Sequence, residues 1–188
     1  MNLPDVLVPT YLQMLRALAA WLAKADAQLA GGDAERLLSM RLAPDMFPLA
    51  TQVRFACAQA CEGMFRLQGK PFPALVEVLL DEGRNAGEHP GTLAEACARI
   101  SETVALVESL PREELDMAPE SAVAHALPMG IVFDLSAEQY VRDWAIPQFY
   151  FHVMTAYAIL RAQGIDLGKA DYVSHMFGYA RPGTLPVT

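Results

Sequence analysis

The sequence is poor in cysteine and in basic residues. Its 188 residues include only three cysteines, and no two of them form a C-x-x-C pair, so it predicts neither a dithiol redox motif nor a zinc knuckle. Fourteen Lys and Arg stand against 22 Asp and Glu, which gives a net charge of −8 at pH 7. Because nucleic acid and anionic membranes repel an acidic protein, neither is predicted as a partner.

The sequence also shows no membrane-span or secretion signal. No apolar run approaches the ~18 residues that a membrane span requires, and residues 1–15 hold Asp5 but no Lys or Arg. A secretory signal usually begins with a basic segment. With its few cysteines, the protein is therefore predicted to be cytoplasmic.

Helical periodicity is the main pattern in the sequence. Apolar residues recur at spacings of three and four, and Gly or Pro ends each pattern. Four such stretches predict four long amphipathic helices: Tyr11 to Leu29, Ala50 to Leu67, Leu93 to Leu110, and Ala137 to Gln163. Pro9 is predicted to lie in the first turn of the first helix, and Asp45 to cap the second. We expect the fourth helix to bend near Pro147.

Local signals define the connections between these helices. Thr92 with Glu95, and Ser136 with Gln139, fit the capping-box pattern at the starts of the third and fourth helices. The Gly- and Pro-rich residues 70–91 predict a long linker with a short helical piece, Ala74–Leu80. A small hairpin is expected before the fourth helix. The whole chain, residues 1–188, is thus predicted to be one all-α domain, a four-helix bundle.

A candidate site lies on the second and fourth helices. Gln148 and His152 are four residues apart, so both lie on one face of a helix. Ala156 continues that face, Phe149 lies at its edge, and Gln52 is the polar residue near the start of the second helix. These residues suit a ligand pocket in the bundle core. The alternative is a core histidine that has found a hydrogen bond, because buried polar groups are normally paired.

Other candidates are weaker. The pair Cys57 and Cys61 is predicted to consist of small buried side chains. His89 and His125 lie in irregular segments and are predicted to be surface residues, whereas His175, in the tail, could fold back over one end of the bundle. The motifs G-x-S-x-G and H-E-x-x-H and a glycine-rich phosphate loop are absent.

Two motifs resemble a known family. RLAPDMFPLATQV (41–53) and AIPQFYFHVMTAYAILRAQGIDLGKADY (145–172), in this order and separation, resemble the bacterial DUF1993 family, which is grouped with the DinB/YfiT-like metalloenzymes. The resemblance spans about residues 5–173. It implies a DinB-like four-helix bundle that is commonly a homodimer.

The resemblance also implies where a metal would lie. In the wider superfamily three histidines hold a metal, one early on the second helix and two as H-x-x-x-H on the fourth. His152 matches the second histidine of that motif, Gln148 stands at the first, and Gln52 is near the early position. Because carboxamides are poor ligands for zinc or nickel, we expect a degenerate site without a metal cofactor.

Two functions remain open. One is a module that binds a small ligand or a partner protein. The alternative is a metal-dependent transferase or hydrolase that uses His152, and some members of the superfamily transfer groups to or from low-molecular-weight thiols.

Overall fold

The computed structural model describes residues 2–29 and 33–184, and most of them are helical. The first half of the chain contains α1 (Leu3–Gln28), a 3₁₀ helix (Asp33–Ser39), α2 (Leu49–Leu67), α3 (Ala74–Asn85) and α4 (Leu93–Ser109). The second half contains a 3₁₀ helix (Arg112–Leu115), β1 (Ala122–Ala126), β2 (Val132–Ser136), α5 (Ala137–Gln139), a π-helical segment (Tyr140–Ala145), α6 (Ile146–Ala162), α7 (Lys169–Tyr172) and a 3₁₀ helix (Ser174–Tyr179).

The first helix begins earlier than predicted. Pro4 occupies its first turn, and Pro9 lies inside it, so the prediction of a first-turn Pro9 was wrong. Proline lacks an N–H and removes one helical hydrogen bond. The helix nevertheless continues through Pro9, and the two preceding side chains, Leu7 and Val8, are buried in the core.

Helix α1 also departs from the expectation about apolar runs. An 18-residue window of it has a mean hydropathy of 1.3, and among the described helices it alone is long and apolar enough to cross a membrane. Half of that window is buried inside the structure. The core helix of a soluble protein passes the same test, so this is weak evidence for a membrane span.

Helix α2 is the central element. It contacts α1, α3, α4 and α6, and 14 of its 19 residues are buried. Small residues allow these close approaches: a Cβ atom at Gly63 would collide with the hydroxyl of Tyr11 on α1. Asp45 does not cap the helix. Pro48 stands at the N-cap without a side-chain hydrogen bond, and its fixed φ of −73° leads directly into the first turn.

The connection between α2 and α4 holds more helix than predicted. Helix α3 runs to Asn85 rather than to Leu80 and packs against α2. Gly83, which suggested a helix break, is instead a contact point. A Cβ there would collide with Phe55, and the Gly83 carbonyl accepts a hydrogen bond from Thr51 Oγ1 at 2.8 Å.

Both capping boxes and the hairpin are confirmed. Thr92 and Ser136 each form reciprocal bonds with the residue three positions on. Strands β1 and β2 pair antiparallel, with His125 opposite Phe133. The irregularity of the last long helix lies before Pro147, in the π-helical segment, and Pro147 itself occupies the first turn of α6.

Candidate functional site

Gln52 and His152 meet between α2 and α6. Gln52 is 2% exposed and His152 9%, and Gln52 Oε1 lies 2.9 Å from His152 Nδ1. The other end of the carboxamide is also engaged, because Gln52 Nε2 donates to the Phe47 carbonyl at 3.2 Å. We call this arrangement the Gln52–His152 pair.

The carboxamide fixes the tautomer of the imidazole. The Phe47 carbonyl only accepts hydrogen bonds, so the NH₂ group of Gln52 must face it and Oε1 must face His152. Nδ1 therefore carries the proton and donates to Oε1, and Nε2 keeps its lone pair. The hydrogen bond to Gln52 therefore identifies Nε2 as the unprotonated ring nitrogen of His152.

The surroundings of the imidazole keep it neutral. Burial lowers the pKa of His152 to about 4, because charging the ring would cost solvation that the protein does not replace. The rings of Phe55 and Phe151 each pack edge-on against it, with centroids 5.3 Å away. Near pH 7 the side chain is an acceptor at Nε2 and not a cation.

The other predicted site residues do not join this pair. Gln148 is half-buried, and its carboxamide forms no hydrogen bond with Gln52 or His152. Phe149 is fully buried and packs edge-on against Tyr11, with ring centroids 4.8 Å apart. Ala156 is fully buried in the core.

The residues present do not fit the three-histidine metal site that the resemblance implies. A single imidazole stands among two carboxamides, and the oxygen of one carboxamide, Gln52, is already used by His152 Nδ1. Within residues 2–29 and 33–184, no three His, Cys, Asp or Glu side chains are grouped so that they could hold a metal ion. The carboxylate of Asp143, on the preceding segment, pairs with Arg142 at 2.8 Å.

A second region brings together more polar chemistry. A cavity of about 430 Å³ lies between α2, α3, the hairpin and the π-helical segment. We call it the His125 pocket. Its polar walls are Gln59, Glu62, Arg66, Arg84 and His125, and its apolar walls include Phe72, Leu80, Leu127, Pro128 and Trp144.

His125 is buried in this pocket, so its prediction as a surface residue was wrong. It is 5% exposed, and neither ring nitrogen has a hydrogen-bond partner among the described residues. Exposed and buried side chains alternate along β1, which turns Val123 and His125 inward. The rings of Trp144 and Tyr140 pack against the imidazole at 4.3 and 5.5 Å between centroids.

Three further buried atoms of the pocket walls lack hydrogen-bond partners among the described residues: Gln59 Oε1, Arg66 Nε and Trp144 Nε1. Buried polar groups are normally paired. Here several unpaired ones are concentrated around a single cavity, in contrast to the Gln52–His152 pair.

Burial shifts the pKa of two ionisable groups of the pocket. Burial raises the pKa of Glu62 to about 7, against the opposing effect of Arg66 and Arg84. Burial, and then Arg66, lower the pKa of His125. Near neutral pH the pocket thus combines a neutral imidazole with a carboxyl group that exchanges its proton.

The remaining candidates lie outside both of these regions. Cys57 and Cys61 are fully buried, as predicted, and burial raises the pKa of each thiol to about 12, so neither is a reactive thiolate. His89 is exposed, as predicted, whereas His175 is half-buried in the tail.

Comparison with known proteins agrees with the fold. The model of the family "Domain of unknown function (DUF1993)" matches residues 3–173. The crystal structure of a DinB family member protein from Shewanella denitrificans is 33% identical, with a TM-score of 0.71 over 95% of this chain and 93% of that one. No curated protein matches the chain. The chain therefore belongs to the DUF1993 family and has the helical fold of a DinB family member.

Proposed function

We propose that this protein is a small-ligand-binding module on a DinB-like four-helix bundle, formed by α1, α2, α4 and α6, and that the ligand occupies the His125 pocket. One observation carries the proposal: a buried histidine with two unpaired ring nitrogens forms the wall of a 430 Å³ cavity. A buried polar group without a partner costs about 1–3 kcal/mol. A ligand that supplies the missing partners recovers that free energy on binding.

The unpaired atoms define the chemistry of the ligand. Arg66 Nε and Trp144 Nε1 only donate, and Gln59 Oε1 only accepts. The ligand must therefore carry at least one acceptor and one donor, as an amide or a carboxylic acid does. The Arg66 guanidinium lies over the Phe72 ring at 4.8 Å. Beside it, the apolar wall favours a ligand with a flat hydrocarbon part.

A ligand screen tests the proposal. Small aromatic amides and acids would be screened by saturation-transfer NMR, and hits confirmed by the fluorescence of Trp144 in a Trp21→Phe background. Ala126 lines the pocket, and Ala124 is exposed on the same strand without lining it. We expect Ala126→Leu to abolish binding of the hits and Ala124→Leu to preserve it. Hits unaffected by Ala126→Leu, or no hits, would contradict the proposal.

The alternative function is a metal-dependent transferase or hydrolase that uses His152. The observation in its favour is the fixed Nδ1–H tautomer, which leaves Nε2 free. Metal-binding histidines commonly donate their other N–H to an oxygen acceptor in this way. Because the neighbouring residues do not fit a three-histidine site, measurement of the metal content decides between the two functions.

We further propose that the protein is a cytoplasmic homodimer. The dimer rests on the family resemblance. Exposed apolar side chains beside the Gln52–His152 pair, Phe47 and Phe151, offer surface that a second copy would cover. Light scattering at micromolar concentration should give about twice the 20.5 kDa monomer mass. A monomer at all concentrations would contradict this.

A further inference from the structure

A separate cavity of about 400 Å³ lies between α2, α3 and the start of α4. Arg54 and Arg99 form its basic wall, Glu82 and Glu95 form its acidic wall, and His89 also lines it. It shares no lining residue with the His125 pocket. Its most unusual member is Arg54, because arginine is almost never fully buried unless it is paired.

Arg54 is buried without adequate pairing. Its side chain is 4% exposed, and its Nη1 atom has no hydrogen-bond partner among the described residues. Nε lies 3.4 Å from Glu82 Oε2, at the outer limit of a hydrogen bond. Nη2 reaches the cavity wall beside Gly91.

The carboxylates nearby are committed elsewhere. Arg99 Nε lies 3.1 and 3.2 Å from the two oxygens of Glu82, and Arg99 Nη2 lies closer still to one of them. The hydrogen bond from Arg99 is the main reason that the pKa of Glu82 is lowered. Glu95 Oε2 accepts from the Thr92 N–H at 2.7 Å in the capping box. Too little negative charge is therefore available to balance the buried guanidinium of Arg54, and an unbalanced buried charge is costly.

Glycine at position 91 keeps space open next to Arg54. Its φ of 71° lies in the left-handed region, and a Cβ there would approach Arg54 Nη2 to 2.9 Å and Glu95 Oε2 to 2.6 Å. The small side chain of Ala98 forms another part of the wall. The first turn of α4 adds the positive end of a helix dipole. Together these features leave an opening beside Nη2 of a buried guanidinium.

We propose that this cavity binds a small molecule through a single carboxylate group, which Arg54 receives at Nη2. A carboxylate is the planar, singly charged partner that a guanidinium prefers. The two arginines and two glutamates of the wall cancel in charge, so a monoanion is tolerated. A phosphate dianion would bring twice the negative charge beside Glu82 and Glu95 and is disfavoured.

The test uses the intact protein and defined probes. Acetate, hexanoate and benzoate would be titrated at constant ionic strength while the backbone amide signals of Gly91 and Ala98 are followed by NMR. Benzyl alcohol and inorganic phosphate serve as comparisons. We expect saturable shifts with at least one monocarboxylate at a Kd on the order of 1 mM, and none with benzyl alcohol or phosphate.

Two variants localise the binding without removing Arg54, whose loss could prevent folding. Ala98→Leu fills the cavity from an exposed helical position, and Ala20→Leu, on the exposed face of α1, is its matched control. We expect Ala98→Leu to weaken carboxylate binding at least about tenfold and the control to leave it unchanged. The proposal is overturned by the absence of saturable shifts, by equal binding to phosphate or benzyl alcohol, or by an unchanged Kd in Ala98→Leu.

Discussion

Two buried histidines in this protein have opposite environments. His152 donates from Nδ1 to Gln52, whose own NH₂ group is held by a backbone carbonyl. His125 is equally buried, yet neither ring nitrogen has a partner among the described residues. The first arrangement is that of a structural hydrogen bond, and the second is the basis of the ligand pocket that we propose.

The contrast shows that burial alone does not identify a functional histidine. Pairing distinguishes the two cases, because a paired group stabilises the fold and an unpaired one costs free energy. Natural proteins retain such costs mainly where function needs them. The comparison therefore predicts different responses to the same kind of change at the two positions.

The largest expected effect is that of His152→Ala. It removes a buried ring and leaves Gln52 Oε1 without its donor, so we expect a loss of ~2–4 kcal/mol in the free energy of unfolding. Urea denaturation measures it. His89→Ala, at an exposed position, is the control and should change stability by less than about 0.5 kcal/mol. Equal, small effects at both positions would refute a structural role for the pair.

Acid titration should give the next largest effect. The folded pKa of His152, about 4, lies below the ordinary value of about 6.5. The unfolded chain therefore binds more protons at this residue between these values, and the contribution of His152 to the free energy of unfolding falls by about 1.4 kcal/mol per pH unit as the pH drops from 6.5 to 4. His152→Asn keeps a donor for Gln52 without titrating, so the stability of the wild-type protein relative to this variant should fall along this slope in urea denaturations at pH 6.5, 5.5 and 4.5.

Glu62 should produce a dependence of the opposite sign. Its folded pKa, about 7, lies above its ordinary value, so the stability present at low pH is lost as pH rises from about 4.5 through 7. The two slopes oppose each other in the wild-type protein between pH 4.5 and 6.5. Glu62→Gln mimics the protonated acid and should stabilise the protein at pH 8 but not at pH 4.5. A pH-independent effect would contradict this.

Substitution of His125 should have a smaller effect on stability. His125→Leu removes two unpaired nitrogens and keeps most of the side-chain volume, so we expect a change within ~1 kcal/mol, neutral or stabilising. The same variant should no longer bind the ligands that the proposed screen identifies. A destabilisation as large as that of His152→Ala would show that His125 is paired in solution and would remove the contrast.

The smallest expected signal is the metal content. One imidazole and two carboxamides form a weak ligand set, so the untagged protein should carry well below one equivalent of zinc or nickel after growth in supplemented medium. Elemental mass spectrometry measures it. One equivalent of metal that is lost in His152→Ala would support the metal-dependent alternative.

Sequence reasoning identified the fold well because its signals are local. Apolar spacing, Gly or Pro boundaries and two capping boxes gave the long helices, and helical spacing with the family motifs led to Gln52 and His152. The His125 pocket was missed because β1 has only five residues, too few for alternation to establish a strand. The signal available in the sequence was the alternation over residues 122–126, which places Val123 and His125 on the same face. The pocket also depends on Trp144, in a π-helical segment, and apolar spacing in the sequence does not indicate that geometry.

The central position of α2 has a consequence for the kinetics of folding. Because α1, α3, α4 and α6 all dock on this one helix, none of these contacts can form before α2 does. Truncations of its buried side chains, such as Val53→Ala, should therefore slow folding more than they speed unfolding. The β1–β2 hairpin pairs mainly with itself, and truncation of Val123 there should chiefly accelerate unfolding.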